Sequence, residues 1–431
     1  MARPLRFCFL SIFYPPYSFG GDAIFVSRLA NSLAHRGHEV DVIHCVDSYK
    51  VLAKGEPTQP FANHPNVTVH SLRSRLGFLS PLVAQQVGWT WPKTDAILEV
   101  FYGKKFDVIH YHNTSLFGPK VLLLEPDYHD FIKLYTTHEH WLVCPMHVLW
   151  KNNDRVCDKP DCFRCTLKFR RPPQWWRYTH FLEKCTTAVD TFVSPSQFTR
   201  QMHQDRGFKS PMAVLPYFVP ALDQDGSSDR TPPHPKPYFL YVGRLEKIKG
   251  VDTILPAFQR YERADLLIAG TGSCEEALRQ QAEGMANVHF LGQLTQEQLQ
   301  DYSRHAIAVI VPSLCYEVFP ITFLEACRAG TPAIARDIGG LTEMVEQSQG
   351  GILYRDNEEL LAAIRRLHTD PALRREMGHR AYQAYTARWR ESVHLEAYFR
   401  VLDDTARRKL GFVPWDQPVR QSLQFPTAPV V

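Results

Sequence analysis

The sequence predicts an α/β protein made of two successive doubly wound domains facing each other across a cleft. Three observations predict it. Apolar strand-like runs alternate with helix-period stretches through both halves of the chain, which implies parallel sheets covered on both faces. A Pro/Ser/Asp-rich break, PALDQDGSSDRTPPHPK, separates the halves at 220–236. The residues just after the strands are polar and glycine-rich, as expected where open α/β sheets bind ligands.

The elements follow in order. RFCFLSI (6–12) is a first strand, followed by a turn carrying Gly20 and Gly21. A helix follows, with Val26, Leu29, Ala30 and Leu33 at helical spacing, and Gly37 ends it. EVDVIHC (39–45), FDVIHYH (106–112), IKLYTTH (132–138), TTAVDTFVSPS (186–196) and MAVLPYF (212–218) supply further strands. After the break come YFLYVGR (238–244), ADLLIAGTG (264–272), NVHFLGQ (287–293) and AIAVIVPS (306–313), and then TPAIARD (331–337) and GGILY (350–354). The expected organisation is a first domain over 1–219 with a cysteine-rich insertion at 144–180, and a linker over 220–236. A second domain spans 237–385, a helix over 386–410 packs back on the first, and 411–431 form a loose tail.

The 431 residues are 44% hydrophobic and 22% charged, a composition that fits a globular protein of two or three domains. The net charge of +4 is too small to indicate a nucleic-acid partner. No apolar run approaches the roughly 20 residues of a membrane span. The N-terminal MARPLRFCFLSIFYPP has a basic start but lacks a small-residue cleavage site, so it reads as a buried strand. A cytoplasmic protein is expected, and the sequons at Asn66 and Asn113 are taken as chance.

Within YEVFPITFLEACRAG (316–330), Glu317 and Glu325 stand in an otherwise apolar run. Proline is excluded from a helix interior, so Pro320 places Glu317 on a loop and Glu325 in the second turn of the helix that follows. GRLEKIKG (243–250) carries Arg244 at a strand end and Lys249 beside Gly250, two cations that suit a phosphate or diphosphate. Gly20 and Gly21 let backbone approach a ligand closely. Cations for phosphates and carboxylates for hydroxyls, on one cleft edge, describe a nucleotide-sugar site.

In order, GRLEKIKG, IAGTG, FLGQL, VPS and the E-x7-E of EVFPITFLEACRAGTPAIARDIGG resemble the retaining glycosyltransferases of family 4, which have the GT-B fold. The likeness is strong through 238–345 and weaker through 5–218. It implies that Glu317 contacts hydroxyls of the transferred sugar, Glu325 holds the ribose, and Arg244 with Lys249 grips the donor diphosphate, which Gly20 and Gly21 also approach. His138, in TTHEH, matches the family histidine near the reacting side of the sugar. Pro320 departs from the glycine often found there and has no N–H to offer; those of Phe319, Ile321 and Thr322 remain. VLPYF also departs from the family's asparagine-containing turn, and Tyr217 is given no role.

Breaking a sugar–diphosphate bond develops negative charge on the leaving phosphate. Arg244 and Lys249 stand where other transferases use a divalent metal, so no cofactor is expected for catalysis. With no carboxylate nucleophile evident on the opposite face, a front-face displacement is expected over a double one. The expected donor is a nucleotide-diphosphate sugar, and the acceptor a glycan or lipid-linked saccharide.

Two clusters stand apart. Cys144, Cys157, Cys162 and Cys165 are spaced C-x12-C-x4-C-x2-C, compatible with a structural zinc knuckle and equally with four reduced thiols; His147 is a substitute ligand. LKFRRPPQWWRYTHF (167–181) interleaves Lys168, Arg170, Arg171 and Arg177 with Phe169, Trp175 and Trp176, which suits an anionic membrane surface or a lipid-linked acceptor and equally a solvated basic loop with two packed tryptophans. Two rival readings are carried: a metal-dependent hydrolase using His110, His112, His138 and His140, and a non-catalytic nucleotide-sugar binder.

Overall fold

The computed structural model describes residues 3–53, 55–57, 60–221 and 231–416. Most of the 220–236 linker and the tail from 417 onward lie outside the described residues. The first sheet contains β1 (Arg6–Leu10), β2 (Glu39–Cys45), β3 (Val67–Leu72), β4 (Val108–Tyr111) and β5 (Ile132–Thr136). After a small antiparallel ribbon, β6 (Trp150–Lys151) and β7 (Arg155–Val156), it continues with β8 (Thr191–Ser194) and β9 (Met212–Val214). All seven of its strands are parallel, in the order β3-β2-β1-β4-β5-β8-β9. The second sheet holds β10 (Tyr238–Val242), β11 (Asp265–Ala269), β12 (Val288–Gly292), β13 (Val309–Val311), β14 (Ala333–Arg336) and β15 (Gly351–Tyr354). It is also parallel, ordered β12-β11-β10-β13-β14-β15.

In each sheet the chain winds outward from its first strand and then reverses, between β1 and β4 and between β10 and β13. Crossover loops diverge there and leave a crevice at the carboxyl ends of the strands. The doubly wound expectation holds. Apart from the short β6–β7 ribbon, the strand missing from the sequence reading is β3, VTVHSL, whose burial runs from a buried Val67 through half-exposed residues to a buried Leu72. An edge strand of that kind carries little continuous apolar signal.

Gly20–His35 forms the first long helix, with Ala23, Val26, Leu29, Ala30 and Leu33 buried against the sheet. The last helix, Glu391–Leu410, lies on the first sheet: Tyr398 Oη bonds His110 Nδ1 at 2.9 Å, and Thr405 and Thr191 share a hydroxyl bond of 2.7 Å. Residues 411–416, expected as the start of a loose tail, are packed instead. Val413 and Trp415 are buried, and Trp415 Nε1 donates to Asp403 Oδ1 at 2.8 Å.

Candidate active site

The loop after β10 builds one wall of the crevice. Gly250 has φ +69, and a Cβ there would lie 2.3 Å from the carbonyl oxygen of Pro312, so only glycine lets the two loops approach this closely. That approach sets Lys249 against the loop after β13. Its ammonium lies 2.5 Å from Glu317 Oε1, and the Ser313 hydroxyl donates to the same oxygen at 2.5 Å. Burial works to raise the Glu317 carboxyl, but Lys249, Ser313 and Arg244 together hold it below its ordinary value. Burial likewise opposes the Lys249 charge, and Glu317 reverses the effect. Both side chains are therefore ionised and mutually held. Arg244 is exposed and has no carboxylate contact among the described residues, which leaves its guanidinium available to a ligand anion.

Pro320 sits at the N-cap of the helix Ile321–Ala329, so Glu317 is on the loop and Glu325 in the second turn, as the proline position predicts. Phe319 is buried, its ring edge against Tyr217 at 5.7 Å, while Ile321 and Thr322 open the helix. Gly21 faces Ile321 across the crevice; a Cβ at Gly21 would come within 3.1 Å of its side chain. The opposing turn of the first half thus lies against the mouth of this helix.

Glu325 has a partner that the sequence did not disclose. Arg28, on the first long helix, donates to Glu325 Oε1 at 2.8 Å, and Gln296 adds a 3.3 Å contact. Both members of this cross-crevice pair are largely buried, and Arg28 Nη1 is buried without a hydrogen-bond partner among the described residues. A ribose at Glu325 must share the carboxylate with Arg28.

His138 lies two residues past the end of β5, and both of its ring nitrogens are engaged. Nδ1 bonds the Tyr217 hydroxyl, and Nε2 lies 3.0 Å from His112 Nδ1. Burial pushes its pKa down to about 3, so the ring is neutral. A sugar hydroxyl would have to displace one of these partners. Two acidic groups at this side were also missed. Asp22, next to Gly21, accepts from Asn113 at 3.3 Å and is pushed up to about 6, first by burial and then by Glu139. Glu139 binds His147 Nδ1 at 2.8 Å through one oxygen, while its other is buried without a partner among the described residues. The only sequence signal for them was adjacency to Gly21 and His138.

The hydrolase reading does not survive the geometry. His110 and His112 do share a face, with ring centroids 4.0 Å apart. His110, however, is satisfied by Tyr398 and by Thr136 (2.8 Å), and His140 packs instead against His203 at 5.4 Å. Among the described residues, the three side-chain ligand atoms within 4.8 Å of one another belong to His234, Asp265 and His289, near the linker.

The four cysteines share one neighbourhood: Cys144 and Cys165 are buried in a small apolar cluster with Cys157 at its edge, and Cys162 opens the adjacent short helix. The Asn152 amide donates to Cys165 Sγ at 3.3 Å. Burial pushes Cys162 up to about 11 and raises Cys144 and Cys157, so these are thiols as they stand. No three of the sulfurs are drawn within 4.8 Å of one another. His147, the substitute ligand, is taken by Glu139.

Known proteins resemble this chain in sequence and in fold. The profile of Glycosyltransferase Family 4 matches residues 19–221, and that of glycosyl transferases group 1 matches 225–384. A glycogen synthase of Mycobacterium tuberculosis is 38% identical over 157 residues, a match covering 34% of this chain and only 38% of the synthase's length. An uncharacterized glycosyltransferase of Methanocaldococcus jannaschii is 31% identical over 372 residues, covering 81% of this chain and 85% of that protein. Among solved structures, sucrose-phosphate synthase from Thermosynechococcus elongatus superposes with a TM-score of 0.66 at 22% identity, covering 92% of this chain and 99% of that one. Anabaena HepE in complex with UDP-glucose gives 0.63 at 16% identity over 93% of this chain and 100% of that one. With a relative matched along four-fifths of its length and two profiles filling both halves, the chain belongs to glycosyltransferase family 4 and has the GT-B fold.

Proposed function

We propose that this glycosyltransferase moves a sugar, with retention, from a nucleotide-diphosphate sugar to a glycan or lipid-linked saccharide. The observation that carries this reading is the Lys249–Glu317–Ser313 contact at the carboxyl ends of β10 and β13, with Arg244 exposed and without a carboxylate contact among the described residues. Arg244 and Lys249 take the diphosphate, so no metal is needed there. Lys249 exchanges part of its contact with Glu317 for phosphate oxygens, and Glu317 turns to the sugar hydroxyls. Glu325 receives the ribose, with Arg28 yielding. The Phe319, Ile321 and Thr322 amides and the Gly20–Gly21 turn face the donor. The neutral His138 orients the sugar on its reacting side.

The acceptor oxygen then forms its bond to the sugar carbon as the carbon–phosphate oxygen bond breaks on the same face. The acceptor proton passes to the departing phosphate, whose charge the two cations hold. Complexes of HepE with UDP and UDP-glucose support a nucleotide-sugar donor for the fold.

A thermal-shift screen against UDP-, GDP- and ADP-sugars, followed by nucleotide release with EDTA present, tests this. Stabilisation by one nucleotide class with EDTA-resistant release is expected. No stabilisation by any of them removes the reading, and stabilisation without turnover toward any acceptor favours the non-catalytic binder.

A structural zinc on Cys144, Cys157, Cys162 and Cys165 belongs to the same proposal, clamping the acceptor-side loop and taking no part in the chemistry. The amide aimed at Cys165 supports it. Elemental analysis is expected to find about one zinc per chain; metal-free protein removes the idea.

A further inference from the structure

The helix Leu79–Val87 is built the wrong way round for a surface helix. It buries Ser80, Pro81, Ala84 and Gln85 and presents Leu79, Leu82, Val83 and Val87 to solvent. Those four exposed residues fall at i, i+3, i+4 and i+8, one continuous face. Leu76, Phe78, Trp89 and Trp91 extend it, each at least 40% exposed.

The cysteine-rich insertion lies alongside. Trp176 Nε1 donates to the Gln85 carbonyl at 3.0 Å, and Gln86 reaches the Pro172 carbonyl at 3.3 Å. Trp176 is thus a buried anchor, as the packed-tryptophan alternative has it, while Trp175 is not. Trp175 is 67% exposed, and Tyr178, Phe163 and Leu167 are exposed with it. Together, stretches 73–91 and 163–178 hold 12 of the 18 exposed large hydrophobic residues found among the described residues. That concentration is not the scatter of single apolar residues normal on a surface.

Charge gives the partner. Neither stretch contains an aspartate or glutamate, whereas Arg73, Arg75, Arg164, Lys168, Arg170 and Arg171 are all exposed around the apolar face. A second copy of this chain placed on the patch would set six cations against six. An apolar face rimmed by cations and carrying tryptophans fits the interface of an anionic bilayer, where the apolar side chains enter the acyl boundary and the cations meet headgroups.

A hollow adjoins this face, and a second one shares two of its lining residues. A cavity of about 450 Å³ is lined by Gln174, Arg177 and Tyr178 on the patch side and by Leu142 and Val143 on the loop after His138. A second hollow, of about 560 Å³, shares Val143 and Arg206 with the first and reaches Tyr316, the neighbour of Glu317. Arg177 lies over the rings of Trp141 and Trp176, at 5.3 and 4.6 Å, and has no carboxylate partner among the described residues.

We propose that residues 73–91 and 163–178 form one surface that docks on an anionic lipid bilayer, with the adjoining hollows leading a lipid-linked acceptor from that bilayer to the donor. The docking stands on the patch alone; the acceptor route rests on the glycosyltransferase reading above. No helix among the described residues is long and apolar enough to cross a membrane.

The full-length protein is sedimented with vesicles of phosphatidylcholine alone, or with about one-third phosphatidylglycerol. Binding is expected on the anionic vesicles and is released by high salt. Arg170→Ala with Arg171→Ala should weaken it roughly 10–30-fold. Leu79→Ser, Leu82→Ser and Val83→Ser together should abolish it, and since these side chains already face solvent the variant should melt like wild type. Wild type remaining in the supernatant overturns the proposal. So does undiminished binding by the triple variant, or a concentration-dependent dimer that it abolishes. Nucleotide-sugar stabilisation, measured on the same variants without vesicles, should be unchanged; its absence in wild type as well would count against the enzymatic reading and leave the docking result standing.

Discussion

Arg244→Ala lowers transfer by about 10²–10³-fold while the melting temperature stays within about 2 °C of wild type. The size follows from the chemistry: a diphosphate leaving group gains charge in the transition state, and a donor aimed at that charge is worth most there. The unchanged stability follows from the structure, because Arg244 is exposed and has no carboxylate contact among the described residues. Lys249→Ala should lose as much activity and also unfold more readily. Its ammonium is the counter-charge of a largely buried Glu317, and removing one member of such a pair costs about 3 kcal/mol. Lys249→Met combined with Glu317→Gln should recover most of that stability and none of the activity. Steady-state kinetics and thermal melts on the four proteins check all of this. Near-normal kcat in Arg244→Ala would end the assignment of the diphosphate to this loop.

A chain stopped at Ala384 should not yield a folded first half. The removed segment includes Trp389, Leu395, Tyr398 and Leu402, all fully buried. At roughly 2 kcal/mol each, their loss removes about 8 kcal/mol, within the roughly 5–15 kcal/mol that holds a whole domain. It also strips the partners of His110 and Thr191 and the Lys409 ammonium bound to Asp190 at 2.9 Å. Soluble expression followed by a melt is the measurement. A truncated protein that melts cooperatively within about 5 °C of full length would refute the expectation.

What could be read in the sequence was whatever depends on neighbours along the chain. Continuous apolar runs such as FDVIHYH and AIAVIVPS are strands because both faces are buried, and Pro320 fixes a helix start by its missing N–H. β3 escaped because its half-exposed residues mute that signal. Arg28 escaped for a different reason: it meets Glu325 across 297 residues of chain, and nothing local marks an arginine for such a partner. The occupied nitrogens of His138 are likewise a matter of Tyr217 and His112 arriving from distant strands and loops. The helix Leu79–Val87 is the instructive case. Periodicity shows that a helix has an apolar stripe but not whether the stripe faces inward, and here Gln85 and Ser80 take the interior. Trp175 and Trp176, adjacent in sequence, divide in the same way between surface and core.

The chain passes between its two halves twice, once before β10 and once before the last helix, and the two passages are tied together. Val219 and Arg390 form a parallel bridge, the Val219 amide donates to the Trp389 carbonyl at 3.2 Å, and the Tyr385 hydroxyl donates to the Val219 carbonyl at 3.3 Å. A single tether would act as a swivel, free to tilt and twist. Two tethers pinned side by side act as a hinge with one axis. Away from these tethers, Glu343 also holds the halves together by accepting from the Gln197 and Phe198 amides at 3.1 and 2.8 Å. The clasp between Arg28 and Glu325 is a second such hold. Any opening of the halves about that axis would have to release both holds at once.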